Sequence, residues 1–257
     1  MQPEANPPLP TVDDPPPTVD DFNRALTPSE DLLLSSLASL DAGDFRTWTL
    51  SMEAAMRGLG ESDVPCGSCT ACCTSSQFIL VEPDETRTLG RIPTALLFPA
   101  PRMPKGHQLM GYDSNGHCPM FIDNRCSIYT DRPRACRLYD CRIFPASGVL
   151  NDDPGKDAIA AQAVRWRFSY EASSDVVLQE AINAAAAFVR KHRERLFADP
   201  MSAKLRVAPP NTSTQLAVLA FQVRDLFLGK DATGAACVME PDVAAVQRRL
   251  SPPEPRA

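Results

Sequence analysis

Eight of the nine cysteines in this chain fall between Cys66 and Cys141. The run opens with Cys66-Gly67-Ser68-Cys69-Thr70-Ala71-Cys72-Cys73 and continues through Cys118, Cys126 and Cys136 to Cys141. A free cysteine in a protein is ordinarily a scattered, buried and inert residue. Four within eight positions constrain the backbone, which has to wrap so that several sulfurs converge. Gly67 and the small Ser68, Thr70 and Ala71 permit that wrapping.

The spacing narrows the chemistry. Cys-x2-Cys turns point two sulfurs inward, and zinc sites usually join two such knuckles to make four ligands. Here the first element is a triple, Cys66, Cys69 and Cys72, with a remote Cys118-Pro119. Three cysteines at successive x2 spacing and a distant Cys-Pro follow the ligand pattern of bacterial ferredoxins. The pattern favours an iron–sulfur cluster and leaves zinc open. Cys73 adds a second constraint, because adjacent side chains diverge although their Cα atoms are only about 3.8 Å apart. Two centres are therefore expected. One would use Cys66, Cys69, Cys72 and Cys118, the other Cys73, Cys126, Cys136 and Cys141. All-cysteine four-ligand sites are mostly closed and structural, which puts a structural or storage role ahead of catalysis.

Charge supports a metal centre over a nucleic-acid site. The formal net charge is −6 and no general basic face is expected, so nucleic acid is not an expected partner. Yet nine Lys/Arg and four Asp/Glu lie between Arg87 and Arg142. Arg132, Arg134, Arg137 and Arg142 crowd the late cysteines, either as a solvated turn or as donors of charge to metal-bound thiolates. His117, beside Cys118, is read as a turn residue more readily than as a ligand; His107 and His192 carry less signal, and Cys237 reads as a plain buried thiol. No apolar stretch approaches a membrane span, and no basic region followed by an apolar run marks a signal peptide. A cytoplasmic location is expected, where thiols stay reduced and clustered cysteines read as metal ligands.

The chain divides as follows. Residues 1–26 hold seven prolines and five acids before the first basic residue, Arg24, and read as a disordered tail. Residues 27–172 read as a cysteine-cluster domain with N-terminal helices, residues 173–250 as a C-terminal helical region, and 251–257 as a tail. A capping box, Thr27-Pro28-Ser29-Glu30, opens a helix running to Leu40, which Asp41-Ala42-Gly43-Asp44 breaks. A second helix spans Phe45 to Arg57, with Trp48, Met52, Ala55 and Met56 on one face. Phe78–Val81 reads as a strand and Ile92–Gly106 as an irregular loop. Asp123-Asn124 turns a hairpin that places Cys118 and Cys126 within reach of each other. Val164–Tyr170 alternates as a strand, followed by a helix over 174–197, a linker over 201–210, a helix from Asn211 or Thr212, and a last helix over 241–250. The fold class is α+β: a small, irregular, metal-stabilised domain with a short β-hairpin, flanked by N- and C-terminal helices.

Three pieces of this stretch together carry a family resemblance. They are Cys66-x2-Cys69-x2-Cys72-Cys73, then Cys118-Pro119-Met120-Phe121, then Arg125-Cys126-Ser127-Ile128-Tyr129-x2-Arg132-Pro133-x2-Cys136-Arg137. Over about residues 64–145 the chain resembles the CxxCxxCC (YkgJ-type) cysteine-cluster family of zinc- or iron-chelating domains. The resemblance implies metal binding. A flagellin lysine N-methylase is similar in carrying such a cluster, with which an iron–sulfur centre is associated. The expected function is therefore chelation of iron, as an iron–sulfur cluster, or of zinc. The runners-up are an iron–sulfur-dependent enzyme related to that methylase and an interaction module shaped by structural zinc. No Gly-rich nucleotide loop, Ser/His/Asp arrangement or paired carboxylates mark a catalytic residue.

Overall fold

The computed structural model describes residues 38–62, 64–197 and 208–251. The expected tail and capping box before residue 38, most of the 201–210 linker and nearly all of the C-terminal tail lie outside the described residues. The structure combines helices with short strands, as the α+β reading requires.

The first described element corrects the sequence reading. Leu40–Asp44 is a strand, β1, paired in parallel with β7, Trp166–Ser169, in the register Leu40 to Trp166 and Asp41 to Arg167. Two aspartates and a glycine give it no strand propensity. The long-range partner supplies the pairing, and Gly43, at φ +83°, absorbs the irregularity between Asp41 and Asp44. Helix α1, Phe45–Met56, follows at once, with the Asp44 side chain accepting from the Thr47 N–H as its cap. Its inner face is Phe45, Trp48, Thr49, Met52 and Ala55, while Met56 is exposed.

The middle of the chain is built from short pieces. Strands β2 (Ile79–Val81), β3 (Leu97–Pro99) and β4 (Gln108–Met110) form an antiparallel sheet in the order β2-β4-β3. Helix α2 spans Thr86–Arg91 between β2 and β3. The stretch read as a loop over 92–106 thus contributes a strand, although Pro93, Pro99, Pro101 and Pro104 hide it. The expected hairpin is present as β5 (Phe121–Ile122) and β6 (Arg125–Cys126). Asp123 and Asn124 both take positive φ, +50° and +58°, the geometry of a two-residue hairpin turn. Helices α3 (Arg134–Leu138), α4 (Ile143–Ser147) and α5 (Asp157–Ala163) then lead into β7.

The long C-terminal helix is divided at His192 into α6, Ser173–Lys191, and α7, Arg193–Phe197. Helix α8, Ser213–Val223, is capped by Thr212. A hairpin that periodicity did not reveal, β8 (Leu228–Lys230) with β9 (Ala236–Val238), places Cys237 opposite Gly229, half-buried rather than in the core. Helix α9, Val243–Leu250, is capped by Asp242.

Buried apolar residues gather in two clusters, and this division governs the site. The larger draws on α1, α4, α5, β7, α6, α8 and α9, so its members come from both sides of residue 172. Its centre holds Phe45, Trp48, Trp166, Ile182 and Phe221. The smaller joins Ile79, Val81, Ile92, Met110, Met120 and Ile128. Phe221 is fully buried, with its ring centroid 5.7 Å from that of Trp48. Phe221→Ala should lower stability by about 3–5 kcal/mol in urea unfolding of the metal-free protein; a loss below about 1 kcal/mol would contradict this packing.

Candidate metal centre

The cysteine run begins in extended chain after Pro65 and tightens into successive turns. The Cys69 N–H donates to the Cys66 carbonyl at 2.8 Å, across Gly67 at φ +54°. The Cys73 N–H donates to the Thr70 carbonyl at 2.8 Å, and Ser75 Oγ to the Ala71 carbonyl at 2.8 Å. Two further bonds fix the vicinal pair in different directions. The Cys72 carbonyl accepts from Gln77 Nε2 at 2.7 Å, whereas the Cys73 carbonyl accepts from the Cys118 N–H at 2.8 Å.

All eight clustered cysteines line one cavity of about 550 Å³. Its walls are largely apolar, including Val64, Ile79, Met110, Met120, Ile159 and Trp166. All nine cysteines of the chain are free thiols. Among the described residues, no group of three or more His, Cys, Asp or Glu side chains is drawn close enough to hold a single metal ion. His117 is not among the cavity residues; its ring packs on Phe121 at 5.8 Å, edge to face.

Within the cavity the cysteines meet two different hydrophobic surroundings. Cys72 and the buried Cys141 pack on the large cluster. Cys118, Cys126 and Cys136 pack on the small one. Electrostatic neighbours agree. Of the thiols acting on Cys72, Cys141 acts most strongly, followed by Cys66 and Cys69. Cys73 responds first to Cys118 and Cys126, and only then to Cys69 and Cys66. Cys141 thus stands with Cys66, Cys69 and Cys72, and Cys118 with Cys73, Cys126 and Cys136. Spacing alone does not register which hydrophobic cluster a remote cysteine packs against, and here Cys118 and Cys141 pack on different ones.

Burial raises the thiol pKa values, since low dielectric disfavours the thiolate. It pushes Cys136 and Cys141 up to about 12 and Cys73 up to about 11. Neighbouring groups oppose this in places. The Trp166 indole N–H donates to Cys141 Sγ at 3.1 Å. Burial also raises Cys118, while the backbone N–H groups of Met120 and Phe121 pull it down.

The arginines separate into distinct roles. Arg134 pairs with Glu82 and Asp84, and Arg137 with Glu61. Arg142 is buried against Asp140, with Nη2 to Oδ2 at 2.8 Å and Nε to Oδ1 at 3.0 Å. Asp140 also accepts from Trp48 Nε1 at 3.0 Å and Ser62 Oγ at 2.6 Å. Arg132 stacks 4.2 Å over the Tyr129 ring and lines the cavity, where its positive charge favours the thiolates of Cys66 and Cys136. Sequence reasoning placed Trp166 only in the core and passed over Asp140, Tyr139 and Gln77. The cavity-lining Tyr139 carries a phenol that burial raises well above its ordinary value. Only the adjacency of Tyr139 and Asp140 to Cys141 could have drawn notice.

Residues 65–157 match the model of the CxxCxxCC family, whose description is "putative zinc- or iron-chelating domain". That match spans the whole cysteine-bearing stretch from Cys66 to Cys141, so this segment is similar to a cysteine-cluster domain of that description. No curated protein and no solved structure matches the chain. No helix among the described residues is long and apolar enough to cross a membrane.

Two predictions follow from the site. Asp140→Ala strands the buried Arg142 charge and should lower stability by about 3–5 kcal/mol, measured by urea unfolding; near-neutrality would show the pair to be dispensable. The thiol shifts act at alkaline pH. Folded pKa values of about 11 to 12 lie above an ordinary value of 9.0, so above pH 9 the unfolded chain holds fewer protons than the folded one. The stability they confer on metal-free protein is therefore present below pH 9 and lost as pH rises towards 12. The unfolding midpoint of wild type should fall more steeply over that range than that of a Cys73→Ser, Cys136→Ser, Cys141→Ser variant; parallel profiles would contradict the shifts.

Proposed function

We propose that the protein chelates iron, as an iron–sulfur cluster, through Cys66, Cys69, Cys72, Cys73, Cys118, Cys126, Cys136 and Cys141. The observation that carries this reading is the convergence of all eight thiols on one apolar-walled cavity of about 550 Å³. Soft thiolates select zinc, copper(I) and iron–sulfur clusters over hard cations. A lone zinc ion draws its sulfurs to about 2.3 Å, and a space of this size lined by eight thiols suits a bulkier inorganic group. The donor set fits such a group, and the apolar walls restrict water around it.

When bound, an iron–sulfur cluster supplies one-electron redox chemistry. The protein's part is to hold and tune it. Trp166 and the N–H groups of Met120 and Phe121 direct donors at sulfur, which stabilises negative charge there and keeps each ligand oriented. Arg132 adds positive charge beside Cys66 and Cys136. The reading implies a reducing, cytoplasmic setting, because only unpaired thiols can take up metal.

Purified without oxygen, the protein should be brown, with broad visible absorption, and should contain iron and acid-labile sulfide. A colourless protein with stoichiometric zinc would overturn the iron–sulfur reading.

A further inference from the structure

We propose that the eight thiols form two separate four-thiolate sites that meet at the Cys72–Cys73 peptide: Cys66, Cys69, Cys72 and Cys141 make one, and Cys73, Cys118, Cys126 and Cys136 the other. This rests on the chelation reading and specifies its ligand sets.

The division follows from what each cysteine is anchored to. In the first set, Cys66 and Cys69 share a turn closed by the 2.8 Å bond between them. Cys141 is seated in the large cluster, with its sulfur held by the indole of Trp166 at 3.1 Å, and Cys72 packs on the same cluster. In the second set, Cys126 lies on β6 opposite Phe121, whose N–H is bonded to the Cys118 carbonyl at 2.9 Å. Cys136, on α3, packs on the same small cluster as Cys118 and Cys126. Cys73 joins this set through its carbonyl, which receives the Cys118 N–H.

The chain crosses from one cluster to the other twice. The first crossing lies between Cys72, on the large cluster, and Ile79, on the small one, and Cys73 stands at its start with its carbonyl bonded to the Cys118 N–H. The second lies between Cys136, on the small cluster, and Tyr139, on the large one. Each crossing leaves two different surroundings for sulfur. The first set has the Trp166 indole and the buried Asp140–Arg142 pair beside it. The second is walled by Ile79, Met110, Met120 and Ile128. Two sites so housed would differ in stability and spectrum, yet their shared boundary of one peptide keeps them within a short distance of each other.

Native mass spectrometry of the unmutated anaerobic protein should show two metal groups per chain. Metal analysis of two double variants tests the partition. Cys66→Ser, Cys141→Ser and Cys118→Ser, Cys126→Ser should each retain half of the wild-type metal, with visible or electron-paramagnetic-resonance signatures that differ and sum to that of wild type. The four-fold variant should retain none. One metal group in the unmutated chain, or complete loss in either double variant while circular dichroism shows a folded protein, would overturn the partition and leave chelation standing. Wild type that takes up no metal at all would overturn chelation itself.

Discussion

The carboxylate of Asp140 is the joint on which the large half of the structure closes. It receives the indole N–H of Trp48 from α1, the hydroxyl of Ser62 from the chain entering the cysteine run, and the backbone and guanidinium of Arg142. Arg142 passes the connection on to the Ala42 carbonyl of β1 at 3.1 Å. A buried ion pair is poor evidence of net stability, because desolvation offsets its attraction. Its value here is positional. Two segments distant in sequence, at Trp48 and Ser62, share one acceptor with the neighbouring Arg142, and Cys141 lies between the two charged residues, so the direction of its sulfur is set by the same network.

The rest of the site is held by weaker and more local means. Ser76, just past the run, is clasped between Gly116 and Gly155: its N–H donates to the Gly155 carbonyl at 3.0 Å, and a Cβ on Gly116 would stand 2.4 Å from its hydroxyl. Gly116 also sits at φ +79°, where a side chain would be strained. Lys156 reaches the Ser76 carbonyl at 2.5 Å. These contacts bring the loop before Cys118 and the loop before α5 against the run, and so help to close the cavity without a large sheet or a long helix around it.

The sequence disclosed the cysteines, the hairpin turn at Asp123-Asn124 and the amphipathic helices, because each is a local pattern. Trp48, Met52, Leu178, Ile182 and Phe188 are buried where periodicity placed them. It did not disclose β1, whose Asp41 and Gly43 carry no strand signal until Trp166 and Arg167 lie beside them. Nor did it disclose β3, written in prolines, or β8 and β9, only three residues each. The surroundings of Cys118 and Cys141 were hidden for a related reason. Ligand spacing describes a turn, whereas a remote cysteine is positioned by the tertiary contacts of Met120 and Ile128 in one case and of Trp166 in the other.

The parallel pairing of β1 with β7 has a bearing on synthesis. The ribosome releases residue 40 early and residue 166 late, and every clustered cysteine lies between them. A nascent chain thus offers all eight thiols to the surrounding cytosol or lumen before Trp166, the wall behind Cys141, has emerged. The large cluster cannot seal around that sulfur until β7 is made. The small cluster, complete by Ala135 and Cys136, has no such wait. The order of translation therefore allows the cysteines gathered around the hairpin to be enclosed first, and those gathered around Trp166 last.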